Sequence, residues 1–232
     1  MAVPFNGNLW ISTDSGGSWT EDTSIGSTQK WRSVASSADG TKLVAAESVG
    51  NLWTSTDSGA SWTETSIGST KAWQSVAASA DGTTFVAAAS LSNPDIGNLW
   101  ISTDSGGSWT EDTSVGRTHG NNNNLQVNWR SVASSADGTK MVAGGYQSNL
   151  WTSTDSGASW TEDTSVGSTK SWYGVASSAD GTKLVAASYN GNLWISADSG
   201  GSWTEDTSVG STQKWNNVAS SADGTKLVAA AS

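Results

Sequence analysis

The chain has 232 residues, among them 15 Trp, 26 Gly, 2 Pro and no Cys. The lack of Cys excludes disulfides and thiolate metal sites, and no apolar run of 18 residues could cross a membrane as a helix. Only 14% of residues are charged and the net charge is −10, which argues against disorder by charge repulsion and against nucleic acid or an anionic membrane as partner.

Taken from the start, "MAVPFNGNLW" lacks the basic start and apolar core of a signal peptide. Two strands are predicted at 8–13 and 18–23, joined by "STDSGGSW". Four more follow: "WRSVASS" (31–37), "KLVAAE" (42–47), "NLWTST" (51–56) and "SWTET" (61–65), here called strands A, B, C and D. They are short, rich in Thr, Ser, Val and Trp, and punctuated by Gly, which is strand and not helix composition. The unit then repeats to the end of the chain. Its Trp fall into three sets of five: Trp10, Trp53, Trp100, Trp151 and Trp194 after "NL"; Trp19, Trp62, Trp109, Trp160 and Trp203 after the C–D turn; Trp31, Trp73, Trp129, Trp172 and Trp215 opening strand A. The spacing from Trp10 to Trp53, and from Trp151 to Trp194, is 43 residues, a length that suits a four-stranded propeller blade.

Strands A and B are joined by "ADGT", where Asp-Gly supplies the positive-φ positions of a tight hairpin. Such a four-stranded meander is apolar on both faces and cannot stand alone; stacked around an axis, each sheet buries both faces on its neighbours. The expected fold is therefore all-β: one five-bladed β-propeller over 1–232, with A strands lining the channel. Its blades are 31–66, 73–113, 129–164, 172–207, and 215–232 together with 1–23. Because the chain starts with C–D (8–13, 18–23) and ends with A–B (215–221, 226–231), the ring is expected to close by pairing the terminal strands into one monomer. The alternative is an array that completes itself by oligomerising.

The five C–D turns read "STDSGGSW", "STDSGASW", "STDSGGSW", "STDSGASW" and "SADSGGSW". They resemble the Asp-box, or BNR repeat, S-x-D-x-G-x-x-W, and match it in every copy. The resemblance implies a propeller of the family that includes sialidases, sortilin-type receptors and secreted glycan-active proteins, and with it an extracellular setting. Locally, Asp14, Asp57, Asp104, Asp155 and Asp198 can each accept turn N–H groups. Each turn offers one carboxylate where calcium wants six or more oxygens, so the repeat reads as a fold device and no metal is expected.

The copies differ in few places. Nineteen of the 21 acidic residues lie at repeated positions, leaving Glu47 and Asp95. Insertions fall in one B–C loop ("SLSNPDIG") and one D–A loop ("RTHGNNNNLQVN"), which share one face of the disc with Arg117, His119, Tyr146 and Tyr189. Arg32, Arg130 and Tyr173 follow the A-strand Trp at the same rim. Variable loops on a repeated scaffold point to a functional face. The candidate ligand-binding residues are Trp31, Trp73, Trp129, Trp172 and Trp215, as aromatic planes for sugar rings, with Arg32, Arg130, Tyr146, Tyr173 and Tyr189.

Sialidase chemistry is not expected: Arg32 and Arg130 hold equivalent positions in separate blades, and the blade number is wrong for that family. The sole His119 has no evident carboxylate partner, and no zincin, phosphate-loop or G-x-S-x-G motif occurs. The expectation is a carbohydrate-binding, lectin-like propeller with glycans as partners, no cofactor and no enzymatic activity. The alternatives are a structural or engineered repeat scaffold without a natural ligand, and a protein-interaction platform.

Overall fold

The computed structural model describes residues 1–2, 4–65, 67–90, 97–112, 114–115 and 127–232. Every regular element in them is a strand. A short antiparallel pair comes first, β1 (Leu9–Ile11) and β2 (Thr20–Asp22). Four sheets of four antiparallel strands follow. Blade one is β3 (Trp31–Ser36), β4 (Leu43–Glu47), β5 (Leu52–Ser55) and β6 (Thr63–Thr65); blade two is β7 (Ala72–Ala78), β8 (Phe85–Ser90), β9 (Leu99–Ser102) and β10 (Thr110–Asp112). Blade three is β11 (Asn128–Ser134), β12 (Met141–Tyr146), β13 (Leu150–Ser153) and β14 (Thr161–Asp163); blade four is β15 (Trp172–Ser177), β16 (Leu184–Gly191), β17 (Leu193–Ser196) and β18 (Thr204–Asp206). The chain ends on the pair β19 (Gln213–Ser220) and β20 (Leu227–Ala231), tied to blade four where Tyr189 and Gly191 of β16 pair with Lys214 and Gln213.

The two kinds of turn form for local reasons. In each A–B hairpin an Asp closes the loop on itself: Asp39 Oδ1 accepts the Ser37 hydroxyl at 2.6 Å and the Thr41 N–H at 3.0 Å, and the pattern repeats at Asp81, Asp137, Asp180 and Asp223. In each C–D turn the residue after the Asp is a Ser in the left-handed region, with φ from 59° to 62° at Ser15, Ser58, Ser105, Ser156 and Ser199. An L-residue there is disfavoured by roughly 1–2 kcal/mol. The bonds around it offset that cost. Ser12 Oγ accepts the Gly16 N–H at 2.8 Å and donates to Asp14 Oδ1, while Asp14 accepts both the N–H (2.8 Å) and the hydroxyl (2.6 Å) of Ser18. The other four turns carry the same set.

Blades are joined by apolar packing and by two repeated bonds. B and C strands of one blade meet the A and B strands of the next: Val44 and Leu52 pack with Trp73, Val76 and Phe85, and Val142 and Leu150 with Trp172, Val175 and Leu184. At the centre of these seams the A-strand indoles donate backward to the preceding B–C loop, Trp31 to the Gly7 carbonyl (3.1 Å), Trp73 to Gly50 (3.1 Å) and Trp172 to Ser148 (3.0 Å). On the opposite face the A–B hairpins form a relay of N–H to C=O bonds, Ala38 to Ala80, Ala80 to Ala136, Ala136 to Ala179 and Ala179 to Ala222. The A strands stand side by side, with the Val76, Val132 and Val175 N–H groups donating to Ser33, Ser75 and Ser131. At the last seam that Ser is replaced by Gly174, where a Cβ would come within 2.9 Å of the Asn217 backbone.

The expected closure by terminal strands is not formed in this structure. β20 has a strand on one side only, and no Ala222 to Ala38 bond completes the relay among the described residues. The free edge of β1 is taken instead by Ala2, which exchanges backbone bonds of 2.8 and 3.0 Å with Trp10. What stands is a propeller-like stack of four whole blades with a half-blade at each end.

Two outcomes follow from this packing. Trp172 is fully buried, and Trp172→Ala should lower unfolding free energy by about 3–5 kcal/mol in a urea titration. An effect below about 1 kcal/mol would show that the indole does not hold the seam. The turn carboxylates set the acid limit. Asp14, Asp57 and Asp198 are held down to about 2, first by the hydroxyls of Ser18, Ser61 and Ser202, and Asp39, Asp81 and Asp223 to about 2, first by Ser37, Ser79 and Ser221. A carboxyl whose pKa is lower folded than unfolded adds stability above its unfolded value near 3.8 and loses it as pH falls through the folded value. The melting temperature should therefore be flat from pH 7 to 5 and drop between about pH 4 and 2; a flat profile to pH 2 contradicts the turn geometry.

Candidate functional site

The rim residues are placed by a backbone irregularity. In each A–B pair the register slips just after the Trp, between Trp31 and Ser33, Trp73 and Ser75, Trp129 and Ser131, Trp172 and Gly174, and Trp215 and Asn217. The skipped residue is a β-bulge, left without a ladder partner and free to be re-aimed. Those bulge residues are Arg32, Gln74, Arg130, Tyr173 and Asn216. The Trp beside them is the same in all five copies, and the bulge residue is what varies.

The bulge residues touch across blades. Arg32 Nη2 donates to Gln74 Oε1 at 3.1 Å, and Gln74 Nε2 donates on to Ser90 Oγ. Arg130 lies over the Tyr173 ring, 5.5 Å from its centre, and Tyr173 stacks on Tyr189 with centres 4.6 Å apart and planes 21° from parallel. Both Tyr are half-buried, Tyr146 is 43% exposed, and Arg32 is exposed. Arg130 Nε and the neighbouring Asn128 Oδ1 are buried with no hydrogen-bond partner. Both atoms are out of reach of solvent, as are seven indole N–H groups that likewise lack a partner among the described residues.

The five A-strand Trp stand apart from this cluster. Trp73, Trp129 and Trp172 are fully buried, Trp31 and Trp215 nearly so. They pack between blades and present no open ring face, so the sugar-stacking role expected of them from the sequence has no surface to act on in this structure. Glu47, outside the repeat pattern, is also buried: it accepts the Trp53 indole N–H at 2.6 Å and the Asn51 N–H. Arg117, His119 and Asp95, with most of both insertions, lie outside the described residues. Among the described residues no group of three or more His, Asp or Glu stands together as a metal site.

A second concave feature repeats with the blades. The groove between the D strand of one blade and the C–D turn of the next holds about 470 Å³ beside Glu111, Asp112 and Asp155, with a counterpart beside Glu21, Asp22 and Asp57. Its carboxylates already serve the fold: Glu111 accepts from Asn98, Asp112 caps the Ser114 N–H, and Asp155 organises its turn.

The family described as Sortilin, neurotensin receptor 3 (Sortilin-Vps10) matches residues 7–142. No curated protein sequence matches. Among solved structures, the GH74 enzyme of Niastella koreensis is 26% identical, with a TM-score of 0.55 over 77% of this chain and 24% of that one. The GH74 xyloglucanase of Xanthomonas campestris is 18% identical, with a TM-score of 0.61 over 84% of this chain and 34% of the other. A chain of a nidogen/laminin complex is 12% identical, with a TM-score of 0.60 over 88% and 72%. The chain thus spans about a quarter and a third of the two GH74 proteins. These likenesses support a β-propeller repeat fold. They also correct one expectation: exclusion of enzymatic activity on sequence grounds does not stand, because structures similar to this chain include glycoside hydrolases.

The rim cluster is separable from the core. Tyr189→Ala removes one ring of the Tyr stack, and its stability cost should be about 0.5–1.5 kcal/mol by denaturant melt. A loss near that of a buried Trp would mean that the stack belongs to the scaffold.

Proposed function

The chain belongs to the Sortilin-Vps10 family, and from that premise we propose that its B–C/D–A rim binds carbohydrate, in a lectin-like manner. One observation carries the reading: at rim positions the scaffold leaves free, Tyr173 stacks on Tyr189 with Arg130 over it, and both rings are half-buried. A sugar offers an apolar ring face to an aromatic plane and hydroxyls to polar side chains at the rim. The cluster sits at positions that the fold leaves free, and the likeness to a GH74 enzyme at 26% identity agrees with a saccharide ligand.

On this reading the Ser-x-Asp-Ser-Gly turns are Asp-boxes and serve as scaffold. The blades number five, the fifth assembled from a β19–β20 half and a β1–β2 half. Arg32 with Gln74, and Tyr146, form lesser positions around the same rim. Contacts this shallow are individually weak and gain strength on a multivalent surface. A peptide ligand is the second reading, favoured by the description of the family as a neurotensin receptor.

The test is a glycan array followed by titration calorimetry on the best glycan. Tyr173→Ala should weaken binding about tenfold or more, equivalent to ~1.4 kcal/mol, while Asp155→Asn should leave affinity unchanged and lower only the melting temperature. A reducing-end assay on the bound glycan decides whether it is also cleaved. Folded protein that ignores every immobilised glycan at high density rules the reading out, and binding to a peptide library instead would favour the second.

A further inference from the structure

Strand β20 is written like the buried B strands and is not buried. Leu227 is 44% exposed and Val228 67%, whereas Leu43 and Val44 are 4% and 0% exposed, and Leu184 and Val185 are 5% and 1%. In the whole blades the B strand is covered by a C strand in one fixed register: Leu43 opposite Ser55, Val44 opposite Thr54, Ala45 opposite Trp53 and Ala46 opposite Leu52, with the same offsets in blade four. β20 has no such strand. β1 is a C strand, "NLWIS", with no B strand of its own. The slot beside it is partly filled by Ala2, paired with Trp10 where Ala45 pairs with Trp53 and Ala186 with Trp194. The first residues of the chain thus stand in for a missing B strand.

Both half-blades are already seated as whole blades are. Ile11 meets the Gly59 turn as Ile101 meets Gly157, and the Trp62 indole donates to Asp22. At the other end the Lys183 ammonium donates to the Asp223 carbonyl as Lys140 does to Asp180, and Gly174 abuts Asn217. With both seated, the two ends do not pair.

We propose that the edge of β20 takes β1–β2 of a second copy of this chain, so that copies join head to tail by completing a shared blade. Leu227, Val228, Ala229 and Ala230 would face Ser12, Ile11, Trp10 and Leu9 of the partner subunit, which displaces the partner's Ala2. Strand addition to an open edge supplies both the backbone bonds and the register. A heterologous contact of this kind closes into a ring where the rotation allows. A second copy satisfies both half-blades with each still seated on its own neighbouring blade as described. On this proposal the chain forms an assembly in place of the monomer expected from the sequence.

The experiment is light scattering with native mass spectrometry across a range of concentrations. The expected result is a dimer or larger ring that dissociates on dilution. Val228→Lys, at an exposed position, should be folded and at least tenfold weaker in association; deletion of residues 1–4, which removes the stand-in strand, should tighten association. Because the chain has no Cys, a Trp10→Cys, Ala229→Cys double variant gives an independent readout: oxidation should yield covalent dimers on a non-reducing gel. A monomer whose oxidised form is cross-linked internally overturns the proposal in favour of closure within one chain. A monomer that does not cross-link, or an assembly indifferent to Val228→Lys, overturns it as well.

Discussion

The structure depends on the seam between blades, and within it on the indole that opens each A strand. A blade alone has two apolar faces and no core. Trp31, Trp73 and Trp172 each lie in a seam and donate the ring N–H to a carbonyl of the preceding B–C loop. A buried Trp removes roughly 150–250 Å² from water and needs a partner for its N–H. Here one side chain fulfils both needs and fixes the loop of the neighbouring blade. Two of the five indoles, Trp129 and Trp215, are buried without that bond; Trp129 opens the blade that follows the inserted B–C loop.

Fixing the Trp also sets the residue after it. The indole must face the seam, and so must the Val three residues on, as in Trp31 and Val34 or Trp172 and Val175. A regular strand puts residues at odd spacing on opposite faces. One residue is therefore squeezed out as a bulge, and the scaffold makes no demand on its identity. Packing thus creates five adjustable positions around the rim, and the chain fills them with Arg, Gln, Arg, Tyr and Asn. The Tyr173–Tyr189 stack and Arg130 arise where a bulge residue meets the end of a B strand.

Much of this was legible in the sequence. The strands, the Asp-Gly hairpins and the structural role of the C–D Asp follow from period and turn chemistry. The bulge was legible in principle through the Trp-to-Val spacing, which breaks the period of two. The sequence presents the A-strand Trp as candidate sugar platforms, yet their identity in all five copies fits a packing element better than a variable site. The left-handed Ser of the C–D turn was not legible, because its strain is offset by a bond set visible only in three dimensions. Ring closure was not legible either. It depends on the rotation from blade to blade, and the contacts between A strands differ from seam to seam, Gly174 lying against Asn217 where other seams put a Ser hydroxyl on a Val N–H.

The same five letters, "KLVAA", are wholly inside at 42–46 apart from the Lys and largely outside at 226–230. Burial here is a property of position in the stack and not of the strand. Each seam covers the strands on both its sides, and β20, with a strand on one side only, keeps its apolar residues exposed. The uncovered strand keeps the composition of a core strand, with no charge, Pro or bulge at Leu227–Ala231 to discourage pairing. An edge without those safeguards is one that the sequence has left able to pair, and in this chain the strand that fits it is β1.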